Sequence, residues 1–385
     1  MQASLHKKPR VALMTYAIDG RRAKGTAIVA RKCVEALLER RDEFDLTFIH
    51  YEKSDDPIYS HGVREVILPE FRPHFFNRRS LRQIYYFLTT KDVYDIAHWF
   101  QPRVYPFFWV APATHLVVTL HTADYARAEY FNLMTEVFLW TLKLFRKKIT
   151  IAIAVSEYAR RVIIKVYGFE FEKVRVLNNG VESIFTPASP EAIAVVREKY
   201  SLPAKFFLNV ARLNPSKNAF RVIRSFDRFA RENPQSQIHF VNVGADGFDK
   251  QLVEEFLNKS PCKDRIHLID YIDAQDLPAV YSAAFALVFP LLNDGFGLPI
   301  LEAMACGTPV VASDTALPEI TRDDALLVDA MNEEDIAEAM RTLVTDPDLR
   351  EKLVHSGLTK ARLFTWEEMT KKLIEIYRGL MRVNA

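Results

Sequence analysis

The chain has 385 residues, 49% hydrophobic and 26% charged, with a formal net charge of +2. These are globular values, and the length suits two domains of roughly 150–200 residues better than one. Three scattered cysteines exclude a disulfide framework or a zinc-ligand spacing. No run reaches the ~18–20 apolar residues of a membrane span, and no nucleic-acid partner is expected. The charge is uneven: residues 1–187 carry 28 Lys/Arg against 20 Asp/Glu, and the remainder 23 against 29. A basic half and an acidic half suggest different partners for the two domains. Cysteine usage points to a reducing, cytoplasmic setting.

In chain order the first apolar run, 11–18, ends at Asp19 without a small-residue cleavage site and reads as a strand, not a signal peptide. Further strands are expected at 46–50, 96–99, 116–120, 149–155 and 175–177. A second series follows at 206–210, 238–243, 266–268, 286–289, 309–312 and 325–328. Helical patterns fill 27–40, 157–167, 218–232, 251–258, 298–305, 333–343, 348–362 and 366–381. Strand–helix alternation predicts α/β architecture with doubly wound parallel sheets, and continuous apolar strands predict sheets covered on both faces. Residues 186–203, with three prolines around one short helix, are the expected boundary. The domains are then 1–187 and 188–365, with the last helix, 366–385, crossing back onto the first.

Chemistry concentrates in FPLLNDGFGLPILEAMACGTPVVAS, 289–313. A buried strand ends at Pro290, and a loop with Asp294, Gly295, Phe296 and Gly297 enters a helix at Leu298-Pro299. Glycines permit close approach, and a helix start presents N–H groups to phosphate. Glu302, expected in the first helical turn, is placed to accept from a ribose diol. In FFLNVARLNPSKNAF a strand delivers Arg212 and, across a proline-containing loop, Lys217. Two cations on a strand-to-helix loop suit a diphosphate and its developing charge without a metal. LVVTLHTADYA sets His121 directly after a buried strand, and AIDGRRAKGTA puts Gly20 and Gly25 between the first strand and helix. The latter is neither a dinucleotide fingerprint nor a P-loop. Asp346-Pro347-Asp348 reads as a helix start, and no metal site is expected.

On these motifs the sequence resembles the retaining glycosyltransferases of family 4. The likeness rests on NDGFGLPILEAMACGTPVVASDTALPEI as the acidic D/E-x7-E segment, VARLNPSKN, LNNGVESIF, AVSEYARRVIIKVYG and FTWEEMTKKLIEIY. The resemblance implies a GT-B fold, two Rossmann-like domains facing each other across a cleft. It implies that Arg212 and Lys217 hold the donor diphosphate and Glu302 the ribose. Asp294, Gly295, Phe296, Gly297 and Leu298 would line the sugar and phosphates, with the base near Tyr271 and Ile272. His121 would sit by the reacting sugar, and Gly25 in a loop facing the phosphate and acceptor. Asp294, Ala211 and Ala27 stand where the family commonly has Glu, Gly and Gly.

The implied reaction moves a hexose from a nucleoside-diphosphate sugar to a glycan or lipid-linked hydroxyl, with no cofactor or metal. GDP-mannose is the preferred donor because TALPEITRDDALLVD and IDGRRAKGTA are closer to mannosyl-transferring members. Retention is expected by same-face attack, since no carboxylate compellingly suits a double displacement; Asp124 and Asp294 are the residues to watch. A catalytically weakened nucleotide-sugar-binding relative and an epimerase or phosphorylase on the same fold stay open. Aromatic and basic segments FRPHFFNRRSLRQIYYF, WFQPRVYPFFW and FNLMTEVFLWTLKLFRKK suit either an acceptor pocket or the inner face of an anionic membrane.

Overall fold

The computed structural model describes residues 8–18, 25–70, 79–100, 108–121, 133–292, 295–314 and 318–382. The chain divides into two compact units, one of residues 1–179 with 366–385 and the other of 180–365.

The first unit runs β1 (Arg10–Met14), α1 (Gly25–Leu38), β2 (Asp45–His50), β3 (Arg64–Ile67), α2 (Arg79–Thr89), β4 (Tyr94–Trp99), β5 (Ala113–Leu120), α3 (Leu133–Phe145), β6 (Ile151–Ala154), α4 (Glu157–Tyr167) and β7 (Val174–Val176). Its strands are parallel, in the order β3-β2-β1-β4-β5-β6-β7. The order reverses between β1 and β4, so the crevice for ligands lies at their carboxyl ends. The strand expected over 11–18 stops at Met14. Thr15–Ala17 winds into a 3-10 turn, with the Ile18 N–H donating to the Thr15 carbonyl at 2.8 Å. β3 has no apolar signature because it is an edge strand: Arg64, Glu65 and Ile67 are exposed.

The second unit runs α5 (Pro190–Tyr200), β8 (Phe206–Val210), α6 (Ala219–Glu232), β9 (His239–Val243), α7 (Lys250–Leu257), β10 (Ile266–Ile269), α8 (Leu277–Ala283), β11 (Ala286–Phe289), α9 (Leu298–Ala305), β12 (Val310–Ser313), α10 (Pro318–Thr321), β13 (Leu326–Val328), α11 (Glu333–Thr345) and α12 (Pro347–Ala361). Its strands are also parallel, in the order β10-β9-β8-β11-β12-β13, with the switch point between β8 and β11. Phe206, Phe207 and Leu208 are all fully buried, as adjacent positions must be when helices cover both faces.

The division falls at 179/180 rather than 187/188, because the next residues are already tied into the second unit. The Val181 N–H donates to the Phe364 carbonyl (3.0 Å), Phe185 packs edge-on against Tyr281, and the Ala188 N–H donates to Ser282 Oγ (3.0 Å). The proline-rich stretch is therefore no free linker; Pro190 opens α5 behind a Ser189 cap. The last helix, α13 (Trp366–Arg382), belongs to the first unit. Met369, Leu373, Tyr377 and Leu380 recur every three or four residues and join Cys33, Leu37 and Phe44 in its core. Each such side chain contributes roughly 1.5–3 kcal/mol on burial. The Tyr377 hydroxyl also meets His98 Nδ1 at 2.7 Å, while His98 Nε2 meets Thr119 Oγ1 at 2.8 Å. Burial drives the His98 imidazole down to about 3, so this link from helix to sheet is made by a neutral ring.

Candidate functional site

In the second unit the two chemistry-rich loops leave neighbouring strands at the switch point. The loop after β8 carries Arg212 and Lys217, and the loop after β11 carries Gly295, Phe296 and Gly297 into α9. Asn218 ties one loop to the other. It is buried, adopts the left-handed conformation (φ 60°), and donates through Nδ2 to the carbonyls of Pro290 (2.9 Å) and Ala330 (2.7 Å). Lys217 therefore ends a short 3-10 turn, Pro215–Lys217, that is anchored at its next residue.

Arg212 is half-exposed and pairs with the exposed carboxylate of Asp246 at 2.6 Å. An ion pair so open to water contributes little, ~0–1 kcal/mol, so an anion can take the guanidinium over cheaply. Asp246 comes from Gly244-Ala245-Asp246-Gly247, the loop after β9, which lies directly against the Arg212 loop. A Cβ on Gly247 would sit 2.2 Å from the Leu213 carbonyl oxygen. The Phe248 N–H donates to Asn214 Oδ1 at 3.1 Å, and the Phe248 ring is left exposed. Asn218, Asp246 and Phe248 were not among the expected site residues. Their signals were slight: an Asn where the chain needs positive φ, and a Gly-x-x-Gly spacing after an apolar strand.

Gly297 starts α9 as a left-handed cap (φ 69°) with Pro299 in the first turn. Helix starts leave N–H groups without intrahelical acceptors, and only glycine takes such a cap without strain. Phe296 is buried against Phe364, so its backbone and not its ring is available to a ligand. Leu298 is half-buried. Glu302 is the fifth residue of α9, just past the first turn in which it was expected. Its Oε2 accepts from the Tyr281 hydroxyl at 2.7 Å. Burial, aided by Glu182, pushes the Glu302 carboxyl up to about 7 against the bond from Tyr281. Of the two residues expected at the base, Tyr271 is 67% exposed and Ile272 only 2%, so Ile272 offers backbone alone. Asp294 lies outside the described residues, as do Gly20 and Asp124.

The raised Glu302 carboxyl has a stability consequence. Between the ordinary glutamate range and about 7 the folded protein holds a proton that the unfolded chain releases, so stability falls as pH rises through that window. Glu302→Gln keeps an acceptor for Tyr281 and removes the charge. Its melting temperature is expected to match the parent at pH 5 and exceed it at pH 8. Equal melting temperatures at both pH values would place the carboxyl in the ordinary range.

In the first unit His121 follows β5, and its Nε2 lies 3.0 Å from the Phe100 carbonyl at the end of β4. A carbonyl only accepts, so Nε2 carries a proton in this contact. The ring thus leans over the carboxyl end of β4, beside the switch point. Gly25 is exposed and opens α1, the helix that follows β1. Both residues sit at the carboxyl edge of their sheet.

Residues 196–359 match the family model described as glycosyl transferases group 1, and residues 23–185 the one described as glycosyltransferase family 4. The chain is 29% identical over 230 residues to O-antigen chain mannosyltransferase B of Escherichia coli, a match covering 59% of this chain and 60% of that protein. Among solved structures, sucrose-phosphate synthase from Thermosynechococcus elongatus superposes with a TM-score of 0.75 at 21% identity, over 98% of this chain and 100% of that one. Anabaena HepE in complex with UDP and glucose gives 0.76 at 16% identity, over 96% and 100%. These low identities speak for the fold alone, the two-sheet GT-B architecture.

Proposed function

Because the chain belongs to the family 4, group 1 glycosyltransferases, we propose that it transfers a hexose, mannose by preference, from a nucleoside-diphosphate donor to a hydroxyl of a growing glycan or lipid-linked acceptor. The observation that carries this reading is the pair of loops at the β8/β11 switch point, one with Arg212 and Lys217 and the other with two glycines entering α9. Arg212 and Lys217 bind the diphosphate, and the backbone at Gly295–Leu298 receives phosphate and sugar oxygens. Glu302 accepts from the ribose, and the base lies along Tyr271 and Ile272. His121 and Gly25 serve the reacting sugar and acceptor. The preference for mannose is supported by the mannosyltransferase among its relatives, and GDP-mannose is the donor to try first.

Transfer breaks the anomeric bond to the diphosphate and forms the new one from the acceptor oxygen on the same face, with retention. The leaving diphosphate oxygen takes the acceptor proton, and the two cations carry its charge without a metal.

The test is thermal stabilisation by UDP, GDP, ADP and their sugars, with and without chelator, on the parent and Arg212→Ala. A ligand at about a hundredfold its Kd adds ~2.7 kcal/mol, or roughly 5–10 °C for a unit of this size. Selective, chelator-insensitive stabilisation that shrinks in Arg212→Ala is expected, with GDP compounds leading. Silence across the panel would mean that the donor site does not bind as read; stabilisation without turnover would bring forward the weakened relative, and donor conversion without acceptor the epimerase.

A further inference from the structure

Two asparagines stand side by side in the core where the β8/β11 switch point opens. Asn209 of β8 and Asn242 of β9 are partners in the strand register, and both are 0% exposed. They lie two residues beyond Phe207 and Phe240, on the face of the sheet that α6 covers with Phe226. Pairing of β8 with β11 ends at Leu208 and Leu287, whereas β8 stays paired with β9 as far as Val210. Where β8 and β11 part, Asn209 Nδ2 donates to the Val288 carbonyl at 2.7 Å. Asn242 Nδ2 donates to the Ala211 carbonyl at 3.2 Å, and the Ala211 N–H donates to the Val243 carbonyl at 3.0 Å. Ala211 is thus held by β9 through both its N–H and its carbonyl, and the next residue is Arg212. Asp246, further along the same segment, takes the Arg212 guanidinium at 2.6 Å.

The outward bonds fix which way each amide points, since a carbonyl only accepts. Each Oδ1 is left buried, and no donor among the described residues reaches it. An unpaired buried oxygen lowers stability, and an apolar side chain would suit this aromatic face better. Polar groups kept at such a loss mark a functional site more than a scaffold. We propose, on the reading of Arg212 as a diphosphate ligand, that Asn242 is a positioning residue for Arg212 and Asn209 its counterpart for the β11 loop. Asn242 fixes the planar peptide that joins Ala211 to Arg212, so the guanidinium leaves from a set direction. Asn209 holds the loop after β8 and the loop after β11 at a set spacing as their strands diverge.

The experiment is titration of the full chain with GDP, UDP and ADP, reading affinity and melting temperature together. Asn242→Leu keeps the side-chain outline and removes the donor. It exchanges one unpaired oxygen, its own, for that of Ala211, so its melting temperature should stay close to that of the parent. Its Kd for the diphosphate should rise about tenfold. In an Arg212→Ala background the same substitution should change Kd by no more than about twofold, because its effect runs through the missing guanidinium. Asn209→Leu acts through the other loop and should weaken binding in both backgrounds. Asn242→Asp supplies a second readout. A protonated aspartate donates to the Ala211 carbonyl, and an ionised one cannot. The ratio of variant to parent Kd should therefore lie near one at pH 5.5 and reach about ten at pH 8. Taking the ratio cancels the titration of the ligand and of Glu302. An unchanged Kd in Asn242→Leu, an equal loss with and without Arg212, or a ratio flat across pH overturns the proposal. If no diphosphate binds the parent, the reading of Arg212 itself fails and the positioning role falls with it, an outcome distinct from equal binding by parent and variant.

Discussion

Lys217→Ala is expected to lower kcat about 10²–10³-fold while changing the donor KM less than tenfold. The magnitude is that of removing one preorganised charge from a developing anion. The asymmetry follows from how the two cations are held. Arg212 is half-exposed and already shares its charge with Asp246, so it can swing to a bound diphosphate and back. Its loss weakens ground-state binding as much as the transition state. Lys217 closes a turn locked by buried Asn218, so the backbone that carries it is set before substrate arrives. An ammonium carried on a fixed backbone contributes most when the diphosphate departs and its charge is greatest. Lys217→Arg should recover little, since a forked planar group cannot replace a compact charge in that turn. The check is steady-state release of nucleoside diphosphate with the donor found by thermal shift. An unchanged kcat with a KM raised a hundredfold would make Lys217 a binding residue only.

Much of this was legible in the sequence, for a physical reason. Strands covered on both faces are unbroken apolar runs, so 206–210 and 286–289 are read at their observed limits, and glycines mark the turn into α9. Where partners come from distant segments the signal fades. Asp246 acquires its meaning only when the β9 loop packs on the β8 loop, a contact that Gly247 permits by lacking a side chain. β3 is polar because an edge strand faces water. Glu302 falls just past the first turn in which it was expected, because α9, read at its observed limits, makes it the fifth helical residue. Its raised carboxyl depends on burial and on Glu182, acting against the bond from Tyr281, and neither residue neighbours it in sequence.

Asn218 offers the sharpest stability test. Its side chain satisfies two carbonyls, Pro290 and Ala330, that lie 72 and 112 residues away along the chain. A buried carbonyl left without a donor costs ~1–3 kcal/mol, and an alanine in the left-handed region ~1–2 kcal/mol more. With two carbonyls affected, Asn218→Ala is therefore expected to destabilise the second unit by about 3–8 kcal/mol. Asn218→Gly loses the same two bonds and keeps the backbone at ease, so it should be about 1–2 kcal/mol less damaging. Both variants release the β11 loop from the turn that carries Lys217. Donor affinity should thus fall in both at a temperature where each is still folded. Denaturant melts separate the two stability effects. Equal stability of the Ala and Gly variants would remove the backbone argument. If instead Asn218→Ala melts like the parent, the two carbonyls find other donors and Asn218 does not hold the loops together.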